Sequence, residues 1–211
     1  DPGLAGARDH WPRGKILGGS SSINAMVWIR GHASDYEDWE AAGNPGWGWQ
    51  EALAAYRQIE DNEAGGDEWR GSGGPLFISA GRDELHPLVQ AYVAAAAEAG
   101  IPPTDDFNGA SQEGVGPYQM TIRGGRRNST SRAFLRPAMR RPNLAVMTHA
   151  QATRVLWEGR RAIGVEFSRR GQIGTVRAGE VILAGGAVNS PQILALSGIG
   201  PSRDLRAAGG P

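Results

Sequence analysis

The glycine pair and serine triplet Gly18-Gly19-Ser20-Ser21-Ser22, set between Arg13-Gly14-Lys15-Ile16-Leu17 and Ile23-Asn24, constrain this chain more than any other stretch. Adjacent glycines let the main chain pass close to a ligand with no Cβ in the way, and the hydroxyls and amides that follow supply hydrogen-bond donors. The run reads as backbone shaped to touch a flat polar ligand, although taken alone a Gly/Ser cluster is more often a plain loop. Ala25-Met26-Val27-Trp28-Ile29 continues it as an apolar segment expected to be buried and helical.

Composition narrows the classes. The chain has 211 residues, 40% hydrophobic and 21% charged, which is enough to bury a core and unlike a disordered or membrane-embedded sequence. Lys+Arg 22 against Asp+Glu 22 gives no net charge, so no basic field invites nucleic acid or an anionic membrane. No cysteine is present, which excludes disulfides, thiolate metal ligands and a cysteine nucleophile. No apolar run reaches the ~18 residues of a transmembrane segment. A cytoplasmic location is favoured, with any signal peptide undecided because the N-terminus is missing. The chain opens on Asp1-Pro2 without an initiator methionine and reads as an internal fragment.

Local patterns place the elements. Trp47-Gly48-Trp49 leads into a helix through about Asp61, and the glycines at 65–66 and 71–74 mark a loop boundary before a strand at Leu76-Phe77-Ile78-Ser79. A helix is expected over 86–99, with Pro87 in its first turn, Gly100 at its C-cap and closely packed alanines. Residues 118–122 read as a strand, and 129–139 as a helix ended or kinked near Pro137. From Asn143 the period becomes two. Strands over 144–148, 153–158, 162–168 and 173–178, with turns at Gly159 and Gly171, form a small meander. Glu180-Val181-Ile182-Leu183-Ala184 has the continuous apolar character of a central strand buried on both faces. A Gly185-Gly186 turn should follow it, then a helix capped by Ser190, with Pro191 first and Gly198 at its end. Such a corner suits a nucleotide, and equally an ordinary strand-to-helix turn.

Two of these stretches carry a resemblance. Gly14-Lys15-Ile16-Leu17-Gly18-Gly19-Ser20-Ser21-Ser22-Ile23-Asn24, with Trp28, Gly31 and Glu37 after it, resembles the first signature of the glucose-methanol-choline (GMC) family of FAD-dependent oxidoreductases. Gly186-Ala187-Val188-Asn189-Ser190-Pro191-Gln192-Ile193-Leu194, running into Ser197-Gly198-Ile199-Gly200-Pro201, is similar to the second. The segments at Asp35-Tyr36, 43–47, 106–109 and 131–137 also look family-like, so the resemblance covers nearly the whole chain. It implies an α/β fold: an incomplete Rossmann-like FAD/NAD(P)-binding domain with an inserted substrate domain of antiparallel sheet and helices. The expected division is 1–34 and 143–211 for parts of the FAD-binding domain, 35–70 for a flavin lid or connecting segment, and 71–142 for the substrate-domain portion.

The resemblance further implies FAD bound at Ile16, Gly18, Gly19, Ser20, Asn24, Ala25, Met26 and Val27, where main-chain groups and the Asn24 amide would meet the isoalloxazine and ribityl region. Ala152 stands where the family usually has a valine whose backbone contacts the adenine. Ile23 occupies the position at which choline-oxidase-like members attach the flavin through histidine; isoleucine cannot form that bond, so the FAD is expected to be non-covalent. The G-x-G-x-x-G turn of the family is not found, and its catalytic histidine is expected beyond the C-terminus. The implied activity is choline-dehydrogenase-like or broader alcohol oxidation by hydride transfer to flavin N5, with oxygen or a quinone-like compound as electron acceptor. A hydroxynitrile lyase of the same family, or a non-catalytic remnant or binding module, are the alternatives.

Other features are assigned no chemistry. His10, His32, His86 and His149 lack metal-ligand spacing, and no metal is expected. Asp106-Phe107-Asn108-Gly109 resembles part of a calcium loop but lacks its first and twelfth acidic ligands, and reads as an Asx turn. Arg123, Arg126, Arg127 and Arg132 read as solvated surface, and Trp47 and Trp49 as lid or core aromatics.

Overall fold

The computed structural model describes residue 3 and residues 5–80 and 85–207. It divides into two compact units, 1–144 and 145–211. None of the described helices is long and apolar enough to cross a membrane.

In the first unit the chain reaches strand β1 (Val27–Trp28), then helices α1 (Ala33–Ala41) and α2 (Trp49–Ile59). His32 caps α1: its ring accepts from the Ser34 N–H while Asp35 Oδ2 accepts from the His32 N–H at 2.8 Å, a reciprocal pair that ties off two orphan donors. The α2 helix ends at Ile59, two residues before the expected Asp61, because Glu60 turns extended to begin β2 (Glu60–Asn62). This strand runs parallel to β3 (Leu76–Ile78), with Glu60 beside Leu76. Leu76, Ile78 and Ala133 make the buried cluster, with Trp28 packed on it.

The expected helix over Ala25–Ile29 is not formed. Met26 adopts φ +65°, which a continuing right-handed helix excludes, and β1 pairs antiparallel with β4 (Gln119–Met120). Ala25, Val27 and Ile29 are exposed rather than buried. Helix α3 (Pro87–Glu98) agrees with expectation at both ends. His86 Nδ1 accepts from the Leu88 N–H, and past the helix Gly100 (φ +91°) and Ile101 donate to Ala97 O and Ala96 O in a Schellman turn. Its alanines do not pack closely, since no residue of α3 is buried.

The expected strand over 118–122 is β4 and β5 (Ile122–Arg123), interrupted at Thr121, and β5 pairs with β6 (Arg126–Arg127). The expected helix over 129–139 is a π turn (Ser131–Leu135) followed by α4 (Arg136–Ala138). Pro137 has no N–H to give Ala133 O, and Arg136 N–H reaches back five residues to Ser131 O instead.

The second unit is an antiparallel meander of β7 (Ala150–Glu158), β8 (Arg161–Arg169) and β9 (Gln172–Arg177), turning at Gly159 and Gly171. The expected strand over 144–148 is absent, and His149 (φ +56°) precedes the true start at Ala150. Glu180–Ala184 is not a strand either. A run buried on both faces needs partners on both sides, none of the described strands lies along it, and Ile182 is 82% exposed. Helix α5 (Gly186–Leu196) starts four residues before Ser190. Gly185 is its N-cap, Ser190 Oγ accepts from the Gly185 N–H at 3.0 Å, and Pro191 lies inside the helix rather than first. Gly198 (φ +79°) and Ile199 close it, donating to Ala195 O and Leu194 O. Ser197 Oγ links helix to sheet, accepting the Val155 N–H at 2.8 Å. Residues Ser202–Ala207 form α6.

Candidate functional site

The Gly/Ser loop folds on itself. A Cβ at residue 14 would lie 2.1 Å from Gly19 O, so only glycine lets these two backbone segments touch. The Gly14 N–H donates to Ser20 Oγ at 3.2 Å and the Gly19 N–H to Ile16 O at 2.8 Å, leading into a 3₁₀ turn over Gly19–Ser22. Ser21 Oγ donates to Gly18 O at 2.6 Å, and Ser22 Oγ to Leu17 O at 3.0 Å.

This corrects one expectation: two of the three hydroxyls expected to supply donors, those of Ser21 and Ser22, donate inside the loop, while Ser20 Oγ accepts the Gly14 N–H and stays exposed. Short polar side chains beside glycines find their nearest acceptors in the turn itself. Main chain and apolar surface face outward, together with the exposed Ser20 and Asn24. No atom lies within 4 Å of a Cβ built at Gly19, and Ile16 and Ile23 are 64% and 50% exposed, with Val27 exposed beyond them. The positions from Ile16 through Met26 thus share one continuous stretch that runs into β1 at Val27. Ala152 belongs to the second unit, half-buried in β7 opposite Phe167, with an irregularity in register before Arg154 and its carbonyl accepting from Gln151 Nε2 at 3.3 Å.

The loop is held by Arg127, which the sequence reading placed on the solvated surface, and by Thr130, which it placed in a helix. Arg127 Nη1 donates to Asn24 Oδ1 at 2.7 Å and to Ser21 O at 3.2 Å. The Thr130 N–H donates to Ser21 Oγ at 3.0 Å, and Thr130 Oγ1 to Gly18 O at 3.2 Å. Arg123 instead lies over the Phe77 ring, at 5.1 Å from its centroid. The signal was present in Asn128-Ser129-Thr130-Ser131, a hydrogen-bonding run in an otherwise helical pattern, of which Asn128, Ser129 and Ser131 are buried. Asn24 Oδ1 also accepts from the Met26 N–H at 3.1 Å, and Met26 O accepts from Thr121 N–H at 2.8 Å.

Beyond β1 the chain plunges into a buried polar network. Arg30, 3% exposed, pairs with the fully buried Glu60 and donates to Trp69 O at 2.6 Å. Glu60 also accepts from Asn62 Nδ2 at 2.9 Å and the Gly71 N–H at 3.2 Å. Asn108 Nδ2 donates to Trp28 O at 3.0 Å and to Gln119 Oε1 at 2.8 Å, while Asn108 Oδ1 accepts the Arg30 N–H at 2.8 Å. The Asx turn expected at Asp106 is formed: Oδ1 accepts the Asn108 N–H at 2.8 Å, and the same carboxylate pairs with Arg70. The network therefore fixes the far end of β1, the strand that leaves the loop. Two of the histidines assigned no chemistry, His32 and His86, are helix caps.

Burial, followed by the 2.9 Å contact with the Tyr36 hydroxyl and the charge of Tyr36, raises the Tyr56 hydroxyl to about 12, against a lowering by Arg30. With the folded pKa above its value of 10.0 in the unfolded chain, the folded state keeps this proton where the unfolded state loses it. The stabilisation is full below pH 10 and is lost as pH rises through about 12. Thermal melts between pH 9 and ~12 should show this decline, and Tyr56→Phe should remove most of it.

A family model described as GMC oxidoreductase matches residues 4–207. Mouse "Choline dehydrogenase, mitochondrial" is 48% identical over 206 residues, 97% of this chain and 34% of that protein. "Alcohol dehydrogenase [acceptor]" of Pseudomonas putida is 50% identical over 203 residues, 94% of this chain and 37% of that protein. Among solved structures, pyridoxine 4-oxidase from Mesorbium loti superposes with TM-score 0.91 at 41% identity, covering 99% of this chain and 41% of that one. An FAD-dependent oxidoreductase from Chaetomium thermophilum gives 0.86 at 32% identity, covering 94% of this chain and 37% of that one. The chain spans little more than a third of the length of the curated relatives it matches.

Proposed function

Because the chain belongs to the GMC oxidoreductase family, we propose that it supplies the flavin-facing loop of an FAD-dependent enzyme that oxidises an alcohol CH–OH group to an aldehyde or ketone. The single observation that carries this is the loop itself, whose outer side is bare main chain at Gly19 flanked by exposed Ile16 and Ile23, while Ser21 and Ser22 bond inward. An open backbone edge between apolar side chains fits a flat heteroaromatic ring with polar atoms on its rim. FAD, when bound, supplies the acceptor at flavin N5 for the hydride leaving the alcohol carbon.

The chain's own residues do the rest by binding and positioning. Main-chain groups of Gly18, Gly19, Ser20, Ala25, Met26 and Val27 border the ring and ribityl side, Ile16 packs against it, and Asn24 offers its amide. The Ala152 backbone is assigned to the adenine, and isoleucine at position 23 leaves the cofactor non-covalent. The names of the relatives support a choline-like or broader alcohol as substrate; oxygen or a quinone-like compound is proposed as the electron acceptor. We assign 1–34 and 143–211 to cofactor binding, 35–70 to the connecting segment and 71–142 to the substrate side.

The test is to express the protein with the sequence that flanks these residues in its reading frame. Acid precipitation should release FAD into the supernatant, and alcohols should reduce a dye acceptor. A flavin that stays with the pellet would overturn non-covalent binding. Flavin uptake with no dye reduction by any alcohol would favour a lyase.

A further inference from the structure

Asparagine can present either end of its amide, and the network around it decides which. At Asn24 the oxygen takes two donors, Arg127 Nη1 at 2.7 Å and the Met26 N–H at 3.1 Å. Both neighbours can only donate. A flipped amide would set its NH2 hydrogens against a guanidinium and a main-chain N–H, so the flipped state loses both hydrogen bonds. The side chain is exposed, and among the described residues no acceptor meets Nδ2. Arg127 is itself anchored, since the same Nη1 donates to Ser21 O and its backbone carbonyl accepts from Arg132 Nη1 at 3.3 Å.

We propose that Arg127 is a positioning residue that locks the Asn24 amide with its oxygen inward and its NH2 outward, so that Asn24 meets the cofactor as a hydrogen-bond donor only. The atom it binds is then an acceptor: a ring carbonyl oxygen, a ring nitrogen lone pair, or a ribityl or phosphate oxygen. This rests on the FAD reading above and adds the polarity of the contact and the residue that sets it. Both acceptors are served by the single nitrogen Nη1, so a lysine ammonium could replace it only where its differently shaped stem brings Nζ to the same place.

Asn24→Asp separates this role from a structural one. Aspartate keeps the inward oxygen, and with it the contacts to Arg127 and Met26, but replaces the outward donor by an acceptor. Flavin-fluorescence titration of the apoprotein, made from the complete reading frame, should show FAD bound at least tenfold more weakly, with the apoprotein melting temperature unchanged or raised. Arg127→Met, which leaves only the Met26 N–H to hold the amide's orientation, should weaken FAD several-fold, and Arg127→Lys should recover part of the loss.

N24D that binds FAD as the parent does would overturn the proposal while leaving the flavoprotein reading intact. A parent protein that takes up no FAD overturns both. If N24D does not accumulate folded, R127M decides: FAD affinity equal to the parent's sinks the proposal.

Discussion

Replacing Glu60 by alanine is expected to destabilise the first unit by about 3–5 kcal/mol, because it leaves a buried guanidinium without its counter-charge. Arg30 and Glu60 are 3% and 0% exposed, so neither can turn to water for compensation. The carboxylate serves three donors: Arg30, Asn62 Nδ2 and the Gly71 N–H. Against the roughly 5–15 kcal/mol that holds a typical domain together, this loss would leave a large unfolded fraction. Urea denaturation measures it. Glu60→Gln preserves the shape and should fall between, and a double change of Arg30 and Glu60 to methionine should recover most of the loss, since a dry apolar pair pays no desolvation of charge. Parent-like stability in E60A would show that Arg30 reaches solvent.

Gly14→Ala is expected to abolish tight cofactor retention. The new Cβ would meet Gly19 O at 2.1 Å, Gly19 C at 2.3 Å and Ser20 N at 2.7 Å, all backbone atoms that cannot rotate aside. The loop must open, costing about 1–3 kcal/mol as an overpacked site does, and FAD affinity should fall by well over tenfold. Gly19→Ala is the companion measurement. Nothing protein-derived stands within 4 Å of its Cβ, so the apoprotein should lose only the ~1–2 kcal/mol of a left-handed alanine. FAD binding should nonetheless weaken more than that strain accounts for, because the added methyl occupies the side assigned to the ring. Equal FAD affinity in G19A and the parent would place the cofactor elsewhere.

What the sequence disclosed was what is locally determined. His86-Pro87 and Gly100 mark both ends of α3, and Gly198 closes α5, because capping is settled within a few residues. The meander was legible for the same reason, as alternation and glycine turns act between neighbours. Ala25–Ile29 misled, since five apolar residues suit helix and strand alike, and the choice was made by Gln119–Met120, more than ninety residues downstream. The start of α5 was hidden because Gly185 caps it without a side chain, while Ser190-Pro191 imitates a better cap inside the helix. At the site, the glycines were readable as close approach, but the inward turn of Ser21 and Ser22 was not. Nor was Arg127, whose function depends on a partner at position 24 that only the folded chain brings near.

The apolar run at Glu180–Ala184 carries a practical consequence. Main-chain amides and carbonyls of an unladdered segment, beside an Ile182 that is 82% exposed, form a sticky edge on which a second copy could add in register. Preparations of these residues alone would then self-associate with rising concentration, and solubility would report whether that edge has found its sheet.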